Sequence, residues 1–176
     1  MPGATDEDSL RDRLAALHQE CWGWALACCH GEAGTAEEVL HMSYHKVLDQ
    51  RARYDGRSAF KTWLFSVIRF TALDHQRWSV RRWLRFAGIE LAAEITDHWP
   101  LADEALARRE RCDEVRAALR SLPARQAETL RLVFFHDLTL DHAAAVMGIS
   151  SGSARQHYER GKQKLRQLLQ FNPDDS

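Results

Sequence analysis

Apolar residues recur along this chain with the period of an α-helix. Phe60, Trp63, Leu64, Val67 and Ile68 fall at i, i+3, i+4, i+7 and i+8, and Thr71 continues the stripe. Val39, Leu40, Tyr44, Val47 and Leu48 repeat the pattern upstream. Leu119, Leu122, Leu130, Val133 and Phe134 repeat it downstream, with a break at Pro123. No segment alternates apolar and polar residues between turn signals, so no strand is expected. The expected fold class is all-α.

Turn residues punctuate this pattern. Breaks are expected at Gly31–Gly34, Tyr54–Ser58, His98–Pro100, Ser121–Pro123 and Met147–Ser150. Thr35 is read as the N-cap of a helix starting at Ala36, Ser58 as the cap of one starting at Ala59, and Pro123 as a first-turn residue. Phe86–Leu101 holds a glycine, a proline and several acids without a long amphipathic stripe, which suits a linker. The chain therefore divides into two small helical domains, residues 6–84 and 102–171, joined by a linker at 85–101.

The strongest local signal spans Leu138 to Tyr158. Thr139 caps a short helix ending near Met147, Gly148 supplies the left-handed residue that stops it, and Ile149 plugs the turn. Ser150 or Ser151 caps a second helix running to about Leu169. Met147, Ile149, Ala154 and Tyr158 form the inner face. This is the pattern of a helix-turn-helix, with an ordinary helical hairpin as the plain alternative. Its second helix exposes Ser153, Arg155, Gln156, His157 and Arg160. Arginine and glutamine can pair bidentately with guanine and adenine edges in a major groove. Lys162, Lys164 and Arg166 suit phosphates or solvent.

Charge sharpens the picture. The net charge of −1 over 176 residues hides segregation. Residues 1–50 carry three bases and nine acids, whereas residues 51–85 carry nine bases and two acids. Residues 86–150 return to net acidity, and residues 151–170 carry five bases against Glu159. Two basic segments in an acidic chain suit a protein that meets a polyanion at two places, or one with two solvated helix faces. No apolar run approaches the roughly 20 residues of a bilayer span, and the acidic start does not resemble a secretory signal. A soluble, cytoplasmic protein is expected. The four cysteines do not suggest a disulfide framework in a chain of this length.

At this point the sequence resembles a known family. Leu122-Pro-Ala-Arg-Gln-Ala-Glu-Thr-Leu-Arg-Leu, the helix-turn-helix, and Glu159-Arg-Gly-Lys-Gln-Lys-Leu-Arg-Gln-Leu-Leu look like region 4 of bacterial sigma factors. Thr35-Ala-Glu-Glu-Val-Leu and the run from Tyr54 to Arg77 look like region 2. The order of the blocks and the short linker are similar to the extracytoplasmic-function group of the sigma-70 family. The resemblance implies a dissociable initiation subunit of bacterial core RNA polymerase that recognises promoter DNA. Region 2 would bind the polymerase clamp through Glu37, Glu38, His41, Met42, Tyr44 and His45. It would hold the melted minus-10 element through Arg53, Tyr54, Asp55, Arg57, Ser58, Lys61, Arg69, Phe70 and Arg77, with the Tyr54–Ser58 loop capturing a flipped base. Region 4 would read the minus-35 element through Arg125, Ser153, Arg155, Gln156, His157 and Arg160. Trp63 matches the family's tryptophan, although its spacing makes it a core residue first. Asp74 and Arg77 close the region 2 motif or form an i, i+3 ion pair.

The chain departs from the family pattern in places. His41-Met42 stands where a glutamine and an acid are common, and Phe70 where an asparagine is common. Ala143 and Ala154 replace larger aliphatics, implying a thinner core partly filled by Tyr158. The basic aromatic run 78–89 has three readings: an extension of the region 2 helix into the linker, which we favour, a helix covered by an anti-sigma factor, or a helix on a membrane surface.

Other chemistry is weaker. Cys28 and Cys29 diverge by about 100° on a helix, which suits free core cysteines better than a joint metal or redox site with Cys21 and His30. His41 and His45 have ligand-like i, i+4 spacing without a matching third ligand. No phosphate loop or nucleophile motif is present, so no catalytic residue, metal or cofactor is expected. Two alternatives remain: a standalone helix-turn-helix regulator with a sensory N-terminal domain, and a polymerase-binding protein that does not initiate.

Overall fold

The computed structural model describes residues 4–86 and 114–169, and every regular element among them is helical. The chain forms two compact units, Met1–His98 and Trp99–Ser176. The first contains α1 (Ala4–Ala16), α2 (His18–Cys28), α3 (Ala33–Leu48) and α4 (Phe60–Phe86). The second contains a helical stretch at 114–120, then α5 (Ala124–Phe134), α6 (Leu140–Met147) and α7 (Ser151–Leu169).

In the first unit α2, α3 and α4 pack against one another. Their apolar stripes supply Cys21, Trp24, Val39, Leu40, Leu64, Phe65 and Ile68, all buried. Each large side chain removed from water contributes about 1.5–3 kcal/mol. The Trp24 indole stacks on Phe65, with ring centroids 5.6 Å apart and planes 8° from parallel. Its Nε1–H donates to the Phe65 carbonyl at 3.0 Å, so the polar edge of the ring is buried with a partner. Polar cross-links join the helices at the rim: Lys46 Nζ donates to Thr71 Oγ1 at 3.0 Å, and Gln76 Nε2 donates to the Cys28 carbonyl at 3.2 Å.

Three helix starts differ from expectation. The α3 cap is Glu32, not Thr35, and the helix begins at Ala33. The Glu32 carboxylate accepts the N–H groups of Gly34 and Thr35. It therefore satisfies first-turn donors that a hydroxyl at position 35 could not reach from within the helix. Ser58 does not cap α4. That helix starts at Phe60, and the Ala59 carbonyl accepts the Trp63 N–H at 3.1 Å. Pro123 lies one position outside α5, as its cap residue. α4 continues to Phe86, into the segment expected as linker. Residues 87–101, and the part of the basic aromatic run beyond 86, lie outside the described residues.

In the second unit α5 and α6 both pack on α7. Leu119, Leu122, Ala127 and Leu130 form the core, with Val115, Tyr158 and Leu165 against it. Thr139 Oγ1 accepts the His142 N–H at 3.2 Å and opens α6. Gly148 closes it at φ 65°, ψ 40°, a conformation that costs glycine little. Ser150 Oγ then accepts the Ser153 N–H at 3.2 Å and opens α7. Ile149 is half-buried in the turn, and Ala143 and Ala154 are fully buried. Tyr158 stacks on Phe134, with ring centroids 5.9 Å apart. Gly161 is buried where α7 crosses α5: a Cβ there would lie 3.1 Å from both Gln126 Cβ and Leu130 Cδ1.

Candidate nucleic-acid interface

The cap at Ser150 sets the phase of α7, and that phase sorts its side chains. Ala154, Gly161 and, in part, Tyr158 and Leu165 face the core. Arg155, Gln156 and Arg160 are exposed together on the opposite side. Two hydrogen-bonding side chains one residue apart near a helix N-terminus suit insertion into a major groove. His157 is half-buried beside them. Ser153 is also half-buried, and its hydroxyl lies 2.9 Å from Ser150 Oγ, so it belongs to the cap. Arg125 lies on α5, where its guanidinium pairs with Glu128 at 3.5 Å. Lys162 pairs with Glu159 at 3.2 Å and sits 4.9 Å from the Tyr158 ring centre.

The second candidate surface centres on the loop between α3 and α4. Tyr54, Phe60 and Trp63 form an aromatic cluster, with centroids 5.4 Å apart for Tyr54–Phe60, 5.3 Å for Tyr54–Trp63 and 5.4 Å for Phe60–Trp63. Trp63 is only half-buried, at the rim of the core rather than inside it. The Tyr54 hydroxyl donates to the Ser58 carbonyl at 2.5 Å and ties the loop across its width. Asp55 Oδ1 accepts the Arg57 N–H at 3.1 Å, and Gly56 turns the chain at φ 75°. Arg53 and Arg57 project into solvent, as does Asp55. Asp55 also lies 3.4 Å from the Arg57 guanidinium, which lowers the local positive charge.

Along α4, Phe70 is 50% exposed and Arg77 is exposed 4.0 Å from Asp74. Two of the expected basic contacts are not surface groups. Arg69 is 5% exposed, because the helix turns it into the bundle while Phe70 takes the outward position. Lys61 is half-buried, ion-paired with Glu20 of α2 and 5.7 Å from the Phe65 ring centre. Burial makes Arg69, and burial together with Glu20 makes Lys61, a poorer phosphate ligand than the exposed Arg53, Arg57 and Arg77.

On α3, Glu37, Glu38, His41, Met42 and His45 share an exposed face. His45 pairs with Asp49 at 2.8 Å, and Glu38 reaches His75 of α4 at 3.1 Å. Tyr44 departs from this group: it is half-buried, and its hydroxyl lies 3.2 Å from His18 Nδ1. Burial pushes its ionisation above the ordinary tyrosine range, with the neighbouring Cys21 adding to the shift. Between α3 and α4 runs an open groove of about 610 Å³, lined by Glu38, His41, Met42, Lys46, Thr71, Asp74, His75 and Trp78.

Cys21 and Cys29 are free thiols, and both are buried. Burial raises their thiols to about 11 and about 12, which leaves them protonated and unreactive at neutral pH. Among the described residues no group of three or more His, Cys, Asp or Glu is arranged to hold a metal.

Sequence reasoning missed Arg13, whose guanidinium covers the Phe60 ring at 3.8 Å. It also missed Lys46, Thr71 and His75 in the groove, because these contacts join distant positions and leave no local signal.

Comparison with known proteins bears on both surfaces. The sigma-70 region 2 family model matches residues 14–82, and the sigma-70 region 4 model matches residues 118–167. The RNA polymerase sigma factor CarQ of Myxococcus xanthus is 30% identical over 163 residues, covering 93% of this chain and 90% of that protein. The ECF RNA polymerase sigma factor EcfG of Rhodopseudomonas palustris is 28% identical over 175 residues, covering 96% and 93%. In fold, the chain resembles the sigma factor RpoE of Bartonella quintana, solved with the anti-sigma factor NepR, at a TM-score of 0.74 and 19% identity over 93% of this chain and 98% of that one. A reading as a standalone regulator is not favoured, since both sigma regions occur in order on one chain. The chain belongs to the extracytoplasmic-function group of the sigma-70 family of RNA polymerase sigma factors.

Proposed function

We propose that this chain is an alternative sigma factor that binds core RNA polymerase and directs initiation at promoters carrying its own minus-35 and minus-10 elements. The observation that carries the reading is the pairing of region 2 and region 4 on one chain, each presenting an exposed basic element. Arg155, Gln156 and Arg160 read base edges at minus-35, while Arg125 and His157 flank them. Arg53, Arg57 and Arg77 hold the backbone of the melted strand, and the 54–58 loop takes the unstacked base. The exposed face of α3 docks on the polymerase. Domains at 6–84 and 102–171 carry these two roles, and the segment between them spans the polymerase. Its work is binding and strand separation in the cytoplasm, without covalent chemistry of its own. An anti-sigma factor is a further partner of this reading, which is supported by the complex in which the structural relative was solved.

In vitro transcription across a promoter library, with core polymerase alone and with this protein added, tests the proposal. Start sites that appear only with the protein support it, and their alignment yields both elements. Polymerase binding without initiation would instead make the chain a non-initiating polymerase partner. Tight binding to duplex DNA with no polymerase binding would refute the sigma reading.

A further inference from the structure

The 51–59 loop does not stand on its own contacts. Its aromatic anchor, Tyr54, packs against Phe60 and Trp63, and the same residue bonds across the loop to the Ser58 carbonyl. One more group seals this cluster, and it comes from the other end of the unit. Arg13 of α1 lies with its guanidinium carbon 3.8 Å from the Phe60 ring centre and 5.3 Å from the Tyr54 ring centre. Phe60 is only 7% exposed, while Arg13 itself is exposed, so the arginine is a lid on the ring rather than a core residue. A guanidinium over an aromatic face is attracted by the ring quadrupole and excludes water from it. The contact therefore links the N-terminal helix to the shape of the loop.

We propose that Arg13 is a positioning residue for the 54–58 loop, holding it pre-formed for the unstacked promoter base. The inference rests on the reading of that loop as the base-capturing element. The chain of contacts is short: Arg13 restrains Phe60 and Tyr54, Tyr54 fixes the Ser58 carbonyl, and the span between them keeps one conformation around Gly56. Pre-organisation of this kind improves capture by removing the ordering cost from the binding step. Without Arg13 the rings gain freedom, and the loop samples conformations that do not accept a base.

Two readouts separate the structural claim from the functional one. The first is amide hydrogen exchange at residues 54–58 in the full chain, for wild type, Arg13→Ala and Arg13→Lys. Faster exchange in Arg13→Ala, largely restored by lysine, supports the proposal. Unchanged exchange overturns it, whatever transcription shows. The second is open-complex formation by reconstituted holoenzyme on a promoter and on the same promoter with an abasic site at the captured base. Arg13→Ala should lose about three- to tenfold on the intact promoter, in line with the strength of a cation–π contact. It should lose little on the abasic one, with binding to core polymerase unchanged. An equal loss on both templates would overturn positioning in favour of a phosphate contact. A wild-type holoenzyme indifferent to the abasic site would overturn the base-capture reading, leaving hydrogen exchange to decide the role of Arg13.

Discussion

Replacing Gly161 with alanine sets two effects of similar size against each other. In the middle of a helix, alanine is favoured over glycine by about 1 kcal/mol. At Gly161 the added Cβ would lie 3.1 Å from Gln126 Cβ, 3.1 Å from Leu130 Cδ1 and 3.3 Å from Leu130 Cγ. Leu130 is fully buried against Leu119 and Leu122, and Gln126 Cβ is held by the α5 backbone. Neither can swing aside, so α7 must move away from α5 by a few tenths of an ångström. Overpacking of this kind costs about 1–3 kcal/mol. The expected balance lies between no change and a net loss of about 2 kcal/mol. A control lies on the same helix: at Gly152 the nearest atom to an added Cβ is Ser150 Oγ, 3.9 Å away. Gly152→Ala is therefore expected to be neutral or stabilising by up to about 1 kcal/mol. Thermal unfolding by circular dichroism, with hydrogen exchange assigning the transition to residues 114–169, measures both. If Gly161→Ala stabilised the unit as much as Gly152→Ala does, helix propensity would be the stronger effect. The close crossing of α5 and α7 would then be refuted as a constraint.

Other outcomes are open to direct measurement. Leu130→Ala should destabilise the second unit by about 2–5 kcal/mol, because the cavity opens at a fully buried position; chemical denaturation reads it. Arg155→Ala should cost about 1–3 kcal/mol of discrimination at one minus-35 base in transcription across promoter variants, whereas uniform weakening would make Arg155 a phosphate contact. The Glu32 carboxylate is held below the ordinary glutamate pKa by its hydrogen bonds from Thr35 and then Gly34. Its capping contribution is therefore fully present above the ordinary value and is lost as pH falls through the lowered one. Glu32→Ala should cost about 1 kcal/mol at neutral pH, and its gap from wild type should close in acid; a gap that widened in acid would reverse the sign of this linkage.

The parts of the fold legible in the sequence were those encoded by neighbours in the chain. Thr139, Gly148 and Ser150 act within four residues of themselves, and the helix-turn-helix follows from them. The α3 start was obscured because a glutamate between Gly31 and Gly34 reads as a break, whereas here its longer side chain reaches forward to the first-turn amides. Charge counting placed Lys61 and Arg69 on a basic surface. Only the fold brings Glu20 to Lys61 and turns Arg69 inward, since both outcomes depend on residues far away in sequence. Tyr44 followed the same logic: its apolar spacing was visible, but its hydroxyl contact with His18 is tertiary.

The phase of α7 separates two inheritances. Ala154, Tyr158, Gly161 and Leu165 hold the helix in place, while Arg155, Gln156 and Arg160 point away from everything that does so. Under the proposed function, substitutions on the outer set should therefore change which promoters are chosen without drawing on the stability of the unit. Substitutions on the inner set change stability without naming a new sequence. On that reading, a lineage carrying this scaffold could diversify its promoter preference one exposed residue at a time while the packed face of α7 stays unchanged.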